Sequence, residues 1–483
     1  MIVRINDLVV SDKVTIRDAL LSIDRSAMGI AFVVNGEGVL AGTITDGNIR
    51  RALIGGTTLT DSVMKATTTA CVSLPVTATI QEINDRLNTK IHVIPLLDQL
   101  GRPVDYASHF RGHRIPVMSP TLTGNELAYV VECVKTNWIS SQGAFVKRFE
   151  SDFSAYIGVP GAITVSNGTT ALHLALAALG VGPGDEVIVP DLTFAATINA
   201  VLYVGATPVL ADVTKDTWTI DPAEMKKLIT PRTKAVIPVH LYGQPAEMEE
   251  IGAIAGKYNL LIIEDAAEAL GSLYHGAPVG SMGDAAIFSF FGNKLITTGE
   301  GGMVVFRDAA ACARARKLRD HGMEPNRRYW HTEIGYNYRL TNLQAAIGVA
   351  QLEQIEKFIV RKMEIADSYR KHLSAIKEIS QPLIRNDVRN VYWLYSIVLE
   401  NKDGHIVRDR LISQLLLKGV ETRPLFYPLH IMPLYAKYGQ GREFPNADWL
   451  GLQGLSLPSA VDLTDDEVGY VCRCMTTLLK LQE

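Results

Sequence analysis

Cysteines are few in this chain, and their spacing suits neither a disulfide framework nor a metal site. The 483 residues contain five, which are Cys71, Cys133, Cys312, Cys472 and Cys474. An odd and scattered set is typical of free thiols in a reducing compartment. The last two have a single residue between them, which is the wrong spacing for a zinc knuckle. We therefore expect reduced thiols and no bound metal.

Long apolar runs and an excess of positive charge are also missing. No run of about 18 apolar residues occurs, so no membrane span is expected, and the polar-interrupted start MIVRINDLVV lacks a signal-peptide core. The net charge of −4 argues against a nucleic-acid partner. These absences predict a cytoplasmic protein. The 47% hydrophobic and 20% charged residues are typical of a soluble chain with sizeable cores, and the length favours two or three domains.

Residues 1–113 contain a faint internal repeat. Each copy has a helix-like segment, TIRDALLSIDRSA or TIQEINDRLNT, followed by a strand, a glycine turn and a second strand. The first copy continues into a helix that begins near Asp46, whereas the final helix of the second copy, whose turn lies at Gly101, is predicted to be lost. This order resembles a tandem CBS (cystathionine-β-synthase-type) module.

The CBS resemblance implies a possible nucleotide ligand. In that family a Thr-Asp pair contacts the ribose, and the pair corresponds to Thr45 and Asp46 in GTITDGNIRRAL. The ordinary alternative is that Asp46 caps the N-terminus of a helix. The second copy, GRPVDYASHF, lacks the pair. We therefore favour the helix cap and keep the nucleotide as the alternative.

After a proline-containing segment, GHRIPVMSPTLTG, strands and helices alternate. Near-continuous apolar strands such as EVIVP and LLIIED, separated by helices, indicate a parallel sheet buried on both faces. The sequence thus predicts a doubly wound α/β domain over residues 114–360. One long helix, TNLQAAIGVAQLEQIEKFIVRKMEIADSYRKHL, leads away from it. Residues 361–483 are predicted to form a smaller α/β unit with a strand in VYWLYSIVLE and a helix in RDRLISQLLLKG.

Several polar or aromatic residues are predicted at the carboxyl ends of these strands, where open parallel sheets bind ligands. They are Asp265 after LLIIE, Gly168 and Thr169 at a loop-to-helix junction, Phe194 after VIVP, and Lys294 after the strand-like FSFF. Taken singly, each has an ordinary explanation as a helix cap, a turn, a core residue or a surface lysine. Taken together, a phosphate cradle, an aromatic face, a carboxylate and a lysine are the parts that hold pyridoxal 5′-phosphate (PLP).

The motifs that carry these residues resemble those of the DegT-type sugar-nucleotide aminotransferases. The resemblance runs from about Ile115 to the end, through SNGTTALHLALAALGVGPGDEVIVP, IEDAAEALGS, GDAAIFSFFGNKLITTGEGGMV and GYNYRLTNLQAAIGVAQLE. It implies a fold-type I PLP enzyme with a mostly parallel sheet and a smaller C-terminal α/β domain. It also implies a homodimer in which each subunit completes the active site of the other.

The same resemblance assigns roles to single positions. Lys294 corresponds to the lysine that forms a Schiff base with PLP and then moves protons, and Asp265 to the acid that keeps the pyridine nitrogen protonated. Phe194 corresponds to the residue that stacks on the ring, and Glu268 to a residue close to the ring. Asn337 corresponds to the asparagine that reaches the phosphate of the partner subunit's PLP.

The phosphate-binding positions also come from this resemblance. Thr169, Thr170 and Ser289 correspond to its hydrogen-bond donors, and Gly168 shapes their loop. Arg423 and His430, in TRPLFYPLH, are candidates for contact with the sugar or the pyrophosphate, or are equally surface residues.

Within the family, RRYWHTEIGYNYR and ETRPLFYPLHIMPLY are most similar to the perosamine-forming branch. This implies transfer of an amino group from L-glutamate to carbon 4 of a nucleotide-linked deoxysugar, GDP-4-keto-6-deoxymannose. The alternatives are another UDP- or GDP-linked 4-keto sugar, for example an N-acetylated one, or a modified octulosonate. An alternative from another class is a non-catalytic sensor that binds PLP and a nucleotide.

Overall fold

The computed structural model describes residues 5–78, 80–88, 90–108, 115–400 and 405–480. Their contacts divide the chain into two compact units. One holds the chain up to Ile115 together with Ser413–Glu421, and the other holds Pro116–Ile412 together with Thr422–Glu483. The predicted domain boundary at 113/114 lies outside the described residues.

Among the described residues before Ile115, the N-terminal unit contains four α-helices and six strands. The helices are α1 (Ile5–Leu8), α2 (Ile16–Ser26), α3 (Asp46–Ile54) and α4 (Ile80–Arg86). The strands are β1 (Val9–Ser11), β2 (Ile30–Val34), β3 (Leu40–Thr45), β4 (Leu74–Pro75), β5 (Val93–Leu97) and β6 (Pro103–Ser108).

These elements repeat one arrangement twice. Strand β1 is parallel to β2, which is antiparallel to β3, and β4, β5 and β6 pair in the same way. Ile16 and Ile23 of α2 share a core with Val33, and Ile83 of α4 shares another with Ile94. The helix–strand–turn–strand order expected of the repeat is therefore present twice. The segment after β6, where a final helix was predicted to be lost, lies outside the described residues.

The first helix cap of the repeat differs from the expectation by one residue. Thr45 caps α3, since its Oγ1 accepts a hydrogen bond from the Asn48 N–H at 3.2 Å and the Asn48 side chain accepts from the Thr45 N–H at 3.0 Å. Asp46 is the first helical residue, where a carboxylate is favourable near the helix N-terminus. The prediction that Asp46 is the cap is therefore wrong.

The second unit is built on a large sheet with helices on its faces. In chain order, its first nine strands are β7 (Ala162–Val165), β8 (Glu186–Pro190), β9 (Thr207–Ala211), β10 (Thr233–Val236), β11 (Leu261–Asp265), β12 (Leu273–Tyr274), β13 (Ala277–Pro278), β14 (Ala285–Ser289) and β15 (Gly302–Phe306). The helices are α5 (Glu126–Lys135), α6 (Ala144–Ile157), α7 (Gly168–Ala178), α8 (Ala195–Tyr203), α9 (Pro222–Lys227), α10 (Met248–Tyr258), α11 (Ala309–Arg319), α12 (Asn342–Leu352) and α13 (Ile355–Leu373).

Seven of these strands form one sheet in the order β7-β15-β14-β11-β10-β8-β9. Strand β15 is antiparallel to both of its neighbours, and the other neighbouring pairs are parallel. Side chains alternate between the faces of a strand, and both faces are covered: Val187 and Val189 of β8 lie in one core and Ile188 lies in another. The sheet is therefore mixed, with a parallel centre buried on both sides.

The C-terminal part of this unit adds a smaller sheet. The strands after α13 are β16 (Ile379–Ser380), β17 (Val388–Arg389), β18 (Tyr395–Leu399), β19 (Arg423–Pro424) and β20 (Gly454–Leu457), and the helices are α14 (His405–Leu417), α15 (Ala436–Gly439), α16 (Pro445–Gln453) and α17 (Asp465–Lys480). Strand β17 pairs with β12, and the end of α14 from Ser413 onward is counted with the first unit. Four strands pair antiparallel in the order β16-β18-β20-β19. The predicted division at 360/361 falls within α13 and remains a prediction.

The long helix expected after the large sheet is interrupted. It ends at Leu352 and restarts at Ile355, and between these ends the Glu353 carboxylate accepts hydrogen bonds from Asn125 at 2.8 Å and Arg148 at 2.7 Å. These partners come from distant sequence, so the apolar periodicity alone could not indicate the break. Within the described ranges, no helix is long and apolar enough to cross a membrane.

Candidate active site

Polar side chains from several strands meet at one edge of the large sheet. Strand β11 ends at Asp265, β14 ends at Ser289, and Asp191 follows β8 directly. Because these strands run parallel to one another in the sheet, their carboxyl ends lie at the same edge. The loop after β14 carries Lys294. The sheet thus brings these residues to the edge where ligands bind in open α/β folds.

The Asp265 carboxylate is buried and held by two donors. Thr197, fully buried on α8, donates its hydroxyl to Oδ2 at 2.8 Å, and the Ala267 N–H donates to Oδ1 at 3.2 Å. Burial raises the pKa of Asp265, against the opposing effect of these hydrogen bonds and of Lys294. A carboxylate fixed in this way can hold a proton on a nitrogen that faces it.

The Lys294 amine lies close to an acid and an aromatic ring. Its side chain is 13% exposed, and Nζ lies 3.5 Å from Glu268 Oε1 and 3.7 Å from the centroid of the Trp393 ring. Burial lowers the pKa of Lys294, while Glu268 and Asp265 oppose that shift. A desolvated lysine is more often neutral, as a nucleophile or proton carrier must be.

Glu268 is positioned by an unusual backbone turn. Its Oε2 accepts the Tyr242 N–H at 2.9 Å. Tyr242 and Gly243 have left-handed φ angles of 53° and 97°, and a Cβ on Gly243 would lie only 2.7 Å from Asn390 Oδ1. The turn therefore needs glycine, and it aims the Tyr242 N–H at the carboxylate. Burial raises the pKa of Glu268, while Lys294 opposes the shift.

The N-terminus of α7 forms a second part of the site. The first N–H groups of the helix, on Gly168 and Thr169, have no intrahelical acceptor. A Cβ on Gly168 would lie 3.0 Å from the Ser289 Cβ, so the two chain segments are in close contact. A helix N-terminus beside a hydroxyl is suited to an anion such as phosphate.

The two threonines of this helix differ in their availability. The Thr170 hydroxyl donates to the Asn167 carbonyl at 2.8 Å, and the Thr170 N–H donates to Asn167 Oδ1 at 2.9 Å. Both groups therefore belong to the helix cap. The Thr169 hydroxyl makes no hydrogen bond to another residue in the part of the chain that the structure describes. Of the two predicted phosphate donors, Thr169 has its hydroxyl available.

Phe194 offers an open aromatic face at the same edge. It precedes α8, its side chain is 58% exposed, and its ring centroid lies 5.7 Å from that of Phe426. Thr197, which holds Asp265, follows one helical turn later. An exposed ring fixed beside the buried acid is what a flat ligand requires.

These groups fit PLP. The absence of a side chain on Gly168 lets its backbone approach Ser289 closely, so that the first N–H groups of α7 and the Ser289 hydroxyl lie together for a phosphate. Asp265 suits the pyridine nitrogen, Phe194 suits the ring, and the amine of Lys294 suits the aldehyde. Asp265, Ser289 and Lys294 thus lie at or after the carboxyl ends of neighbouring strands, and their roles toward the cofactor remain predictions.

The remaining predicted residues have contacts of their own within the chain. Asn337 is exposed, and its Oδ1 accepts a hydrogen bond from Arg339 at 3.1 Å. Arg423 is exposed on β19. The His430 ring has its own partners, with Nδ1 2.6 Å from an oxygen of Asp191, whose pKa burial raises to about 6.

The arrangement of His430 favours a positional role. Its N–H donates to Asp191 at 2.9 Å, its Nε2 lies 3.4 Å from Asp448, and its ring stacks on Phe444 with centroids 4.6 Å apart. These contacts attach the segment after β19 to the end of β8. Contact with a substrate stays a prediction for both His430 and Arg423.

Three residues of the site have no counterpart among the sequence predictions. Thr197 holds Asp265, Tyr242 holds Glu268, and the Trp393 ring faces Lys294. Thr197 could have been found from its position one turn after Phe194 on a predicted helix. Tyr242 acts through its backbone and Trp393 comes from the C-terminal part of the chain, so no local pattern indicates either.

Comparison with known proteins agrees with this arrangement. The model of the DegT/DnrJ/EryC1/StrS aminotransferase family matches residues 120–476. GDP-perosamine synthase of Caulobacter vibrioides is 48% identical over 367 residues, which cover 76% of this chain and 98% of the relative. GDP-perosamine synthase of Escherichia coli O157:H7 is 48% identical over 358 residues, or 74% and 96% of the two chains. The crystal structure of DesV from S. venezuelae is 35% identical with a TM-score of 0.68, covering 73% of this chain and 94% of its own. The chain belongs to the DegT/DnrJ/EryC1/StrS aminotransferase family.

Proposed function

We propose that this protein is a PLP-dependent aminotransferase that converts GDP-4-keto-6-deoxymannose and L-glutamate to GDP-perosamine and 2-oxoglutarate. The observation that carries this proposal is the similarity to GDP-perosamine synthases over nearly their whole length. The site supports the reaction class through the buried Asp265, the desolvated Lys294 and the anion-binding start of α7.

PLP, when bound, supplies an electron sink that stabilises negative charge on the carbon that loses a proton. In this site, Asp265 would keep the proton on the pyridine nitrogen, and Thr197 keeps the carboxylate aimed at it. The Phe194 ring would cover one face of the cofactor. The N–H groups of Gly168 and Thr169 and the hydroxyls of Thr169 and Ser289 would bind the phosphate.

Lys294 would be the base that moves a proton between the cofactor carbon and carbon 4 of the sugar. Its burial favours the neutral amine that accepts the proton. Glu268, 3.5 Å away, stabilises the ammonium that results. The pair thus allows the lysine to alternate between its two protonation states without leaving the site.

A substrate panel tests the proposal. The PLP-loaded protein would be incubated with GDP-4-keto-6-deoxymannose, with other GDP- and UDP-linked 4-keto sugars including N-acetylated ones, and with L-glutamate, L-aspartate or L-alanine. Mass spectrometry would detect the aminated sugar, and a coupled assay would detect the 2-oxo acid. The expected result is the highest kcat/KM for the GDP sugar with glutamate. A clear preference for a UDP-linked or N-acetylated sugar would identify that sugar as the substrate in place of the GDP sugar. If no sugar is aminated, the proposed function is contradicted.

The working unit that we infer is a homodimer with shared active sites. Asn337 supports this proposal, because within one copy of the chain it lies on an exposed loop and its Oδ1 contacts only Arg339 among the described residues. In the dimer, its side chain would reach the phosphate end of the partner subunit's site. Light scattering during size-exclusion chromatography measures the assembly, and a monomer that retains full activity would contradict it.

For residues 1–113, we infer a regulatory or assembly role, with a nucleotide as the candidate ligand. The two repeated sheet arrangements support a CBS-like module, and Asp46 at the start of α3 is the candidate contact. Adenosine and guanosine nucleotides would be screened by thermal melting of the full chain and of Asp46→Ala. A ligand should raise the melting temperature of the full chain and have little effect on the variant. If no nucleotide raises the melting temperature of the full chain, the proposed nucleotide ligand is contradicted.

A further inference from the structure

The Trp393 ring is in direct contact with the amine of Lys294. Nζ lies 3.7 Å from the ring centroid, which is within the range of a cation–π interaction. The charged groups that face this amine are Glu268 and Asp265. The amine is therefore in contact with a neutral ring and with the carboxylate of Glu268.

The orientation of Trp393 is fixed from several directions. Its Nε1–H donates to the carbonyl of Asn293, the residue before Lys294, at 2.7 Å. Its ring is stacked on Tyr242 at an interplanar angle of 8°, with centroids 6.1 Å apart. Its own carbonyl accepts a hydrogen bond from Lys362 Nζ at 2.8 Å. The side chain and the backbone of Trp393 are thus both held.

Lys362 is an unusual anchor because its amine is buried and no acid among the described residues pairs with it. It is 1% exposed on α13, and its Nζ donates to the carbonyls of Trp393 and Ser459 and contacts Met118 Sδ at 3.6 Å. No carboxylate within the described residues pairs with it. The neighbouring Arg361 instead contacts Glu364 and Asp465.

Burial lowers the pKa of Lys362 to about 7. A buried ammonium is costly unless it is hydrogen-bonded. The hydrogen bonds from Lys362 to the Trp393 and Ser459 carbonyls offset part of the cost of burying it. Because these carbonyls belong to segments far apart in sequence, the same bonds fix both segments against α13. One of them leads directly into the Trp393 ring.

We propose that Trp393 is a positioning residue that holds the free amine of Lys294 at the site, and that Lys362 fixes Trp393 by binding its carbonyl. The proposal rests on the role of Lys294 in the proposed function. Whenever the amine is not bound to the cofactor, the ring and Glu268 together keep it within reach and stabilise its charged form. Without these contacts, the flexible lysine side chain would occupy many rotamers whenever it is not attached to the cofactor.

The contact can be measured without the cofactor. The lysines of the cofactor-free full chain would be dimethylated with ¹³C-formaldehyde, and the Lys294 signal assigned with Lys294→Arg. Methyl protons above an aromatic face are shifted upfield, so the Lys294 signal should lie upfield of those of exposed lysines. Trp393→Leu should abolish the shift, Trp393→Phe should keep part of it, and Lys362→Met should reduce it. Trp449→Leu, which removes the ring of the Lys215–Trp449 cation–π pair, is the matched control and should leave the Lys294 signal in place.

Kinetics provide the second measurement. Trp393→Leu should lower kcat about tenfold and leave the KM for glutamate within about twofold, because the ring acts on the amine and not on the donor. If the Lys294 signal of the methylated wild-type chain is not shifted upfield, or if the upfield shift persists in Trp393→Leu, the proposal would be overturned. An unchanged signal in Lys362→Met would overturn the anchoring role. If that variant does not fold, Lys362→Gln, which keeps N–H donors, should fold and retain most of the shift, and a folded Lys362→Gln without the shift would overturn the role of these hydrogen bonds. Borohydride fixation of PLP to Lys294 in the unmodified protein tests the proposed function separately, and its failure would not depend on Trp393.

Discussion

Replacement of Thr197 by valine tests whether the charge of Asp265 depends on one hydroxyl. Valine has nearly the same shape as threonine and lacks the donor that lies 2.8 Å from Asp265 Oδ2. Both side chains are buried, so water cannot easily replace the lost hydrogen bond. The variant therefore changes the electrostatics of the site with little change in packing.

The magnitude follows from the kind of bond. A hydrogen bond to a charged group contributes about 1.5–3 kcal/mol, and we expect the free energy of unfolding of the cofactor-free variant to fall by that amount near neutral pH. Burial holds the folded-state pKa of Asp265 above its unfolded value, so this group destabilises the fold as the pH rises through that range. Loss of the donor raises the folded-state pKa further. The loss of stability should therefore be larger at high pH than at low pH.

Denaturant unfolding measures this difference at two pH values, the lowest at which the unsubstituted protein stays folded and about pH 8. Thr193→Val is the matched control, because its hydroxyl is buried and bonds to the Thr197 hydroxyl at 3.0 Å, not to the acid. It should lose about 1 kcal/mol at both pH values, as expected for a neutral hydrogen bond. Equal losses at the two pH values for Thr197→Val would refute the reasoning.

Turnover should follow the same energy. If the anionic form of Asp265 is needed while negative charge develops on the cofactor, a loss of this size lowers kcat roughly ten- to a hundredfold. The KM for glutamate should change less, because Thr197 is fully buried behind the acid. A kcat within the experimental error of that of the unmodified enzyme would show that this hydroxyl is not required.

Three other predictions concern the lysine, the dimer and the N-terminal module. Lys294→Ala should lose turnover and borohydride fixation of PLP, and its unfolding midpoint should equal that of the control Lys234→Ala, which replaces an exposed lysine on β10. Transamination by Lys294→Ala at a near-normal rate would contradict the assignment. A mixture of Asn337→Ala and Lys294→Ala proteins should regain activity through mixed dimers with one intact site, and no recovery after demonstrated subunit exchange would count against shared sites. A truncated protein that begins at His113, and so keeps Ile115 with its hydrogen bonds to Gly419 and Glu421, should bind PLP and aminate the sugar; a folded, PLP-loaded but inactive protein would show that the module contributes to catalysis.

The central sheet could be predicted because its strands carry the signal in their own residues. The apolar runs around Val187 and Ile262 are buried on both faces, and burial on both faces leaves no polar alternation. The antiparallel placement of β15 between β7 and β14 could not be derived in this way, since the same apolar run suits either direction. At the break after Leu352, Glu353 binds Asn125, directly before α5, and Arg148 of α6, which are remote in sequence.

The site shows the same division between local and distant information. Asp265, Lys294 and Gly168 lie at junctions where a strand or loop ends, so sequence reasoning could place them at one sheet edge. Residues that position them through the backbone or from another part of the chain had no such signal. Tyr242 acts through its N–H, and Trp393 arrives from the C-terminal part of the unit.

Burial disfavours the charged form of each of the three ionisable groups at the centre of the site. It raises the pKa of Asp265 and of Glu268 and lowers that of Lys294, and in each case it is the largest cause of the shift. The fold therefore holds two acids and one base in a place that disfavours all three charges, which costs stability. A flat ligand with a proton donor for Asp265 and an anion for the start of α7 would interact favourably with these groups. Binding should therefore be strongest for a ligand whose charges match both the acid and the helix N-terminus.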